Sequence, residues 1–212
     1  MFVADWMTRN VYTVKPEDSV FDALKILREK KIKHLPVVTD GSVVGLLSDR
    51  DIREFSPSKA TALDVYEMHY ILAKTTAGSI MRTQVFTTTP GTPVEQAAME
   101  MLDRGIGCLP VVDHGKLVGI ISDMDIFRVL VDITGIRHDG HRIFLSIDDR
   151  PGSIREVADV VRKHNFRIQS ILTTYEKSPK GKRNVVLRTL ADGDFDALKK
   201  DLLASFPEVQ LS

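Results

Sequence analysis

The sequence predicts an α+β protein: two tandem copies of a β-α-β-β-α unit packed as a pseudo-twofold pair, then a ferredoxin-like βαββαβ tail. Two observations carry this. Residues 7–52 recur without a gap 74 positions later as residues 81–126, with 18 of 46 paired positions identical, which marks a duplicated structural unit. Beyond residue 140 the repeat is gone, and short alternating runs separated by two amphipathic stretches replace it.

The matches fall at demanding places: Met7 on Met81, Pro16 on Pro90, Leu35-Pro36-Val37-Val38 on Leu109-Pro110-Val111-Val112, and Ser48-Asp49 with Asp51-Ile52 on Ser122-Asp123 with Asp125-Ile126. Each copy is expected to open on a short strand, 11–14 or 85–88, closed by Pro16 or Pro90. A helix follows. Ser19 is its candidate cap in the first copy, and Val20, Ala23, Leu24 and Leu27 form one apolar stripe, repeated by Val94, Ala97, Ala98 and Met101. Two strands come next, 35–39 and 43–47, joined through Asp40-Gly41, a dipeptide that accepts the positive φ of a tight hairpin. His114-Gly115 takes that place in the second copy, and another helix begins at Ser48 or Ser122.

Between the copies Ser56-Pro57-Ser58 breaks the chain before a helix expected over 61–74. Leu63, Val65, Tyr66, Met68, Tyr70, Ile71 and Leu72 spread around it, so both sides require cover, either within the subunit or at a subunit interface. The second copy ends near Leu130, and 132–140 reads as a linker. In the tail, 142–147 alternates as a strand, 153–164 is helical, and 166–174 with 185–190 forms a hairpin around Ser178-Pro179-Lys180-Gly181-Lys182. Residues 194–205 form a helix with Phe195, Leu198, Leu202 and Leu203 facing inward, and 209–211 adds a last short strand. The expected divisions are therefore 1–56, 57–76, 77–131, 132–140 and 141–212.

Composition narrows the function. Lys plus Arg total 29 and Asp plus Glu total 29, so net charge gives no long-range attraction to nucleic acid or an anionic membrane. A single cysteine, Cys108, cannot form an internal disulfide, and no apolar run approaches a membrane span or a signal peptide, which points to a cytoplasmic protein. His138-Asp139-Gly140-His141 lacks further ligands for a metal, and Gly181-Lys182-Arg183 lacks the context of a phosphate loop. No nucleophile, base and electrophile set is visible, so no enzymatic activity is expected.

The informative motif is Gly45-Leu46-Leu47-Ser48-Asp49-Arg50-Asp51, echoed by Gly119-Ile120-Ile121-Ser122-Asp123-Met124-Asp125. A hydroxyl and a carboxylate three residues apart at a helix start form a capping box, which satisfies free backbone N–H groups and needs no ligand. The same geometry also suits a nucleotide, because a helix start attracts phosphate and a carboxylate accepts hydrogen bonds from ribose hydroxyls. Residues alone leave both readings open. With "LPVV", "VVG" (Leu-Val-Gly in the second copy) and S-x-x-D in order and repeated, each copy resembles a cystathionine-β-synthase (CBS) domain, and the two together resemble a CBS pair, or Bateman module.

That resemblance implies that Asp51 and Asp125 hold a ribose and that Ser48 and Ser122 lie near phosphate. It further implies that Asp51 faces Val85, Phe86, Gly107, Cys108 and Pro110, while Asp125 faces Val11, Tyr12, Lys33, His34 and Pro36. Lys31, Lys33 and His34 are matched by Gly105, Gly107 and Cys108, so positive charge for a phosphate comes mainly from the first copy, and the two clefts should differ in affinity.

In the tail, Asp148-Asp149-Arg150-Pro151-Gly152-Ser153-Ile154 joins a strand to a helix. An ordinary turn explains it, yet in βαββαβ order the string resembles an ACT domain, whose members bind amino acids with this loop or dimerise. The residues carried over are Asp149, Arg150, Gly152, Ser153 and Ile154. CBS pair plus ACT domain resembles the acetoin-utilisation AcuB-type proteins. The implied function is a non-catalytic sensor, with no required cofactor, binding AMP, ADP, ATP or S-adenosylmethionine between its repeats. Ligand binding would be relayed to the ACT domain through 133–140, in a homodimer acting on an unidentified regulated protein. The alternative is an oligomerisation and partner-docking module with no small-molecule ligand.

Overall fold

The computed structural model describes residues 1–55, 65–206 and 208–211, and the chain divides into two compact units, 1–126 and 127–212. In the first unit the elements run α1 (Val3–Trp6), α2 (Val20–Glu29), β1 (His34–Thr39), β2 (Ser42–Ser48), α3 (Asp49–Phe55), α4 (Val65–Lys74), α5 (Ala77–Ile80), α6 (Val94–Arg104), β3 (Cys108–Asp113) and β4 (Lys116–Ser122). Helix α7 (Asp123–Thr134) follows and contains the division between the units. The two hairpins share one register, pairing His34 with Ser48 and Cys108 with Ser122, and each carries an irregularity at its Leu-Pro-Val-Val run, between Val37 and Val38 or Val111 and Val112. Their turns place Asp40 and Gly41, or His114 and Gly115, at positive φ, as the dipeptides require.

The expected first strands are reduced to single parallel bridges, Val14 to Val37 and Thr88 to Val111. Proline is the reason. Val14 N–H donates to the Pro36 carbonyl at 3.1 Å and Val38 N–H to the Val14 carbonyl at 2.9 Å, but the next rung needs an N–H from Pro36, which has none. Pro110 stops the second copy in the same way, after Thr88 N–H donates to its carbonyl at 3.0 Å.

The repeats exchange their leading segments. Val3 and Met7 pack into the core of the second copy with Ala97, Met101, Leu109, Val111 and Ile121. Ala77, at the start of the second copy, lies in the core of the first with Val14, Val20, Leu27, Leu35, Val37, Leu47 and Ile52. Backbone bonds fix both crossings: Thr8 pairs with Ile120 and Arg82 with Leu46, each in both directions at 2.9–3.0 Å. Glycine makes room for them. A Cβ at Gly45 would lie 2.2 Å from Met81 Sδ, and one at Gly119 would lie 2.4 Å from Met7 Sδ, so these two glycines are passages for the partner copy's methionine.

Helix α4 does not bury both of its sides: Leu72 is buried, while Tyr66 and Tyr70 are 81% and 66% exposed. Ser56-Pro57-Ser58 and Leu63 lie outside the described residues. The expected linker starts late, because α7 continues through Asp132 to Thr134.

The second unit contains β5 (Arg142–Asp148), α8 (Ser153–Lys163), β6 (Ile168–Thr174), β7 (Lys182–Thr189), α9 (Phe195–Ser205) and β8 (Gln210–Leu211). Its antiparallel sheet has the order β6-β7-β5-β8, the ferredoxin-like arrangement the tail predicted. Alternate residues Ile143, Leu145 and Ile147 of β5 meet Val157 and Val161 of α8 and Leu198 and Leu202 of α9. Leu203 is 50% exposed instead of facing inward: it follows Leu202, and consecutive residues on a helix lie about 100° apart.

Candidate functional site

The site grows out of the β2-to-α3 turn. Ser48 is the last residue of β2, and its N–H and Oγ both donate to Asp51 Oδ2, at 2.9 and 2.5 Å, while Asp51 N–H donates back to Ser48 Oγ at 3.2 Å. This is a complete capping box. The second copy repeats it, with Ser122 N–H and Oγ donating to Asp125 Oδ2 at 2.9 and 2.7 Å, and Asp125 is buried. Each serine proton is thus committed to its own aspartate, so neither hydroxyl offers that proton to a phosphate in this arrangement.

Around Asp51 a cavity of about 600 Å³ opens, walled by Lys33, His34, Leu46, Ser48, Asp49, Arg50, Arg53, Glu54, Arg82 and the stretch 105–108 of the other repeat. Of the residues expected to face Asp51, Gly107 and Cys108 are on this wall. Val85, Phe86 and Pro110 are not: Pro110 is buried inside β3, and the Arg104 guanidinium covers the Phe86 ring, 3.9 Å from its centroid.

Lys33 and His34, expected to face Asp125, line the Asp51 cavity. The hairpin register explains this, because it sets His34 opposite Ser48, and Asp49 N–H donates to the Lys33 carbonyl at 3.1 Å. Val11 is half-buried, Tyr12 is exposed with Lys30 Nζ 5.1 Å from its ring centre, and Pro36 is buried inside β1. None of these three lies on the Asp51 cavity wall.

The repeats meet at His34 and Gly107. A Cβ at Gly107 would lie 3.2 Å from His34 Cε1 and 3.8 Å from Asp123 Oδ2, so the bare backbone there lets the imidazole reach across. Burial pushes His34 below its ordinary pKa and Lys33 adds to this, against the opposing pull of Asp123 and Asp51. His34 is therefore a neutral hydrogen-bonding group at neutral pH rather than the cation expected. Burial, with the Asp123 charge, pushes the Cys108 thiol up to about 12, which makes it a packed wall residue and not a nucleophile.

Repeat comparison did not reveal Arg82. Its Nε donates to Asp51 Oδ1 at 2.7 Å, filling the face of the carboxylate that the capping box leaves open. Burial opposes the Asp51 charge, but bonds from Ser48 and Arg82, together with the Arg82 charge, outweigh it and hold the carboxyl below its usual range. The residue 74 positions before Arg82 is Thr8, so the motif carried no duplicated signal at this place. The other rim arginines bond acids on their own helix, Arg50 to Glu54 at 2.7 Å and Arg53 to Asp49. Lys33 has no ion pair among the described residues.

In the second unit the charged side chains of the 149–154 loop are paired to the neighbouring strand and helix. Asp149 pairs with Arg183, Arg150 Nη2 donates to Glu156 Oε2 at 2.7 Å, Ser153 is buried, and Gly152 holds φ +90° ahead of Ser153 and Ile154. A cavity of about 310 Å³ includes Arg150 and Ser153 with Ser146, Asp148, Glu156, Lys182 and Glu208, but not Asp149, Gly152 or Ile154. Among the described residues no cluster of three or more His, Cys, Asp or Glu could hold a metal, and no helix is long and apolar enough to cross a membrane.

Duplicated hairpins with exchanged leading segments and a cleft between them define a tandem-repeat module. The chain belongs to the CBS-domain family, whose profile matches residues 3–58 and 77–132, more than half of the sequence. Among solved structures it is similar to CBSX2 in complex with AMP, at 34% identity and a TM-score of 0.52 over 62% of this chain and 97% of that one. It is likewise similar to the CBS domain pair of protein MJ0100 in complex with 5′-methylthioadenosine and S-adenosyl-L-methionine, at 30% identity and a TM-score of 0.51 over 61% and 95%. A Vibrio cholerae protein designated an acetoin utilization protein (AcuB) matches at 28% identity and a TM-score of 0.54 over 65% and 95%. Curated relatives include a homoserine O-acetyltransferase of Methanohalobium evestigatum, 33% identical over 61% of this chain. The match spans about a quarter of that relative, 24%.

Proposed function

We propose that the protein is a non-catalytic regulatory sensor that binds an adenosyl ligand, AMP, ADP, ATP or S-adenosylmethionine, in the cleft between its CBS repeats. The carrying observation is the Asp51 carboxylate, held by the Ser48 box inside a cavity of about 600 Å³ whose far wall belongs to the other repeat. That volume lies within the range of small-molecule sites. In this reading Asp51 Oδ1 takes the ribose hydroxyls, Lys33 serves the phosphate, and the adenine lies along Gly107 and Cys108. Asp125, with Val11, Tyr12 and Pro36, forms a second, weaker cleft.

Because the cavity has walls from both repeats, a ligand there favours whichever packing of the repeats fits it. That differential affinity is the condition for a signal. The second unit is read as an ACT domain that receives the signal, with self-association or an amino acid in its cavity of about 310 Å³ as its role. The assembly is read as a cytoplasmic homodimer acting on a regulated partner.

One observation favours a second reading, a docking and assembly module without a ligand. The capping boxes engage Ser48 with Asp51 Oδ2 and Ser122 with Asp125 Oδ2 locally, while Tyr66, Tyr70, Met99 and Leu102 are exposed. Calorimetric titration of the full chain with AMP, ADP, ATP, S-adenosylmethionine and amino acids separates the two. Binding of an adenosyl compound that Asp51→Ala weakens at least tenfold supports the sensor, and no heat from any compound supports assembly alone.

A further inference from the structure

We propose that Arg82 is an ionic latch on the ribose-binding carboxylate and that it selects ligands carrying a 5′ phosphate over uncharged adenosyl compounds. This rests on the reading of the Asp51 cavity as an adenosyl site. Asp51 has an 8% exposed side chain whose Oδ2 is consumed by Ser48 N–H and Oγ. Only Oδ1 remains for a sugar, and Arg82 Nε holds it at 2.7 Å. A ribose that takes both Oδ1 lone pairs must move the guanidinium aside.

The arginine is built to move without unfolding anything. Its backbone is pinned to Leu46 by two hydrogen bonds of 2.9 Å, whereas its side chain is 58% exposed and sits on the cavity wall. Once displaced, a guanidinium needs a new anionic partner, and a phosphate offers paired oxygens that match its fork. A phosphorylated nucleoside therefore brings the replacement for the bond it breaks, and an uncharged adenosyl compound does not. Arg50 and Arg53 cannot substitute without leaving Glu54 and Asp49. The latch belongs to the Asp51 cleft, since Thr8 occupies the matching position of the other copy and has no guanidinium to swing.

The test is calorimetric titration of the full chain, wild type and Arg82→Ala, with AMP and with 5′-methylthioadenosine. Because the bond AMP breaks and the bond its phosphate forms offset each other, the latch predicts that the variant keeps its AMP affinity within about threefold, while 5′-methylthioadenosine, with no guanidinium left to displace, binds about tenfold more tightly, the scale of one charge-assisted hydrogen bond. Equal losses for both compounds would assign Arg82 a structural role only and overturn the proposal. So would unchanged 5′-methylthioadenosine affinity. Where the wild type binds neither compound, the reading of the cleft fails first and the latch fails with it. Arg82→Gln, which keeps part of the stem and a polar end but not the charge, repeats the comparison if the alanine variant does not fold.

Discussion

Gly119→Ala tests whether the exchanged segments hold the repeats together. The added Cβ would lie 2.4 Å from Met7 Sδ, 3.0 Å from its Cγ and 3.2 Å from the Thr8 carbonyl oxygen, whereas ordinary contact begins at 3.4 Å. Thr8 cannot retreat, being paired to Ile120 through bonds of 2.9 and 3.0 Å, so Met7 must withdraw from a core in which it is 8% exposed. Overpacking of this kind costs about 2 kcal/mol, or roughly 4–8 °C in Tm for a chain of this size. Trp6, the single tryptophan, lies in α1 against the same core, so its fluorescence during urea unfolding reports this site directly. Met7→Ala alone should cost about 2–5 kcal/mol by leaving a cavity. The double variant should cost at least about 1 kcal/mol less than the sum, because alanine at 7 removes the clash. Strict additivity would refute the passage role of Gly119.

Other consequences can be measured as simply. The carboxyl of Asp51 is held below its unfolded value of about 3.9, so its stabilisation is complete above that pH and is lost as pH falls through the depressed folded value. An Asp51→Asn variant should lose that part of the acid-unfolding slope, and a profile parallel to wild type below about pH 4 would contradict the assignment. Lys31 holds φ +53°, where its counterpart Gly105 holds +63°, so Lys31→Gly should relieve the left-handed strain. Offset by the extra freedom of glycine when unfolded, the net gain should be about 0.5 kcal/mol in urea denaturation. Cys108, buried and with its pKa near 12, should resist iodoacetamide at pH 8 and become reactive only as urea unfolds the chain. Rapid alkylation of the native protein would contradict the packing of β3.

Much of the fold was legible because it depends on local chemistry. Asp40-Gly41 and His114-Gly115 demanded tight turns, the Leu-Pro-Val-Val runs demanded buried strands, and the alternation after residue 141 demanded a half-buried sheet. The segment 11–14 falls short of a strand although its own residues suit one, because the missing N–H that stops its ladder belongs to Pro36. Leu203 faces outward because Leu198 and Leu202 fix the inward face of α9, which the hydrophobicity of one residue does not reveal.

The sequence by itself determined that a unit of a helix, a β-hairpin and a second helix is repeated, that the hairpin hands over to the helix at a serine and an aspartate three residues apart, and that a different α+β unit follows. Those are properties of periodicity and of short-range hydrogen bonding. Tertiary structure alone decided that each copy lends its leading segment to the other, that Lys33 and His34 stand beside Asp51, and that Arg82 closes on that carboxylate. These relations join residues such as 82 and 51 through strand register and core packing, and neither is written in the spacing of any one segment.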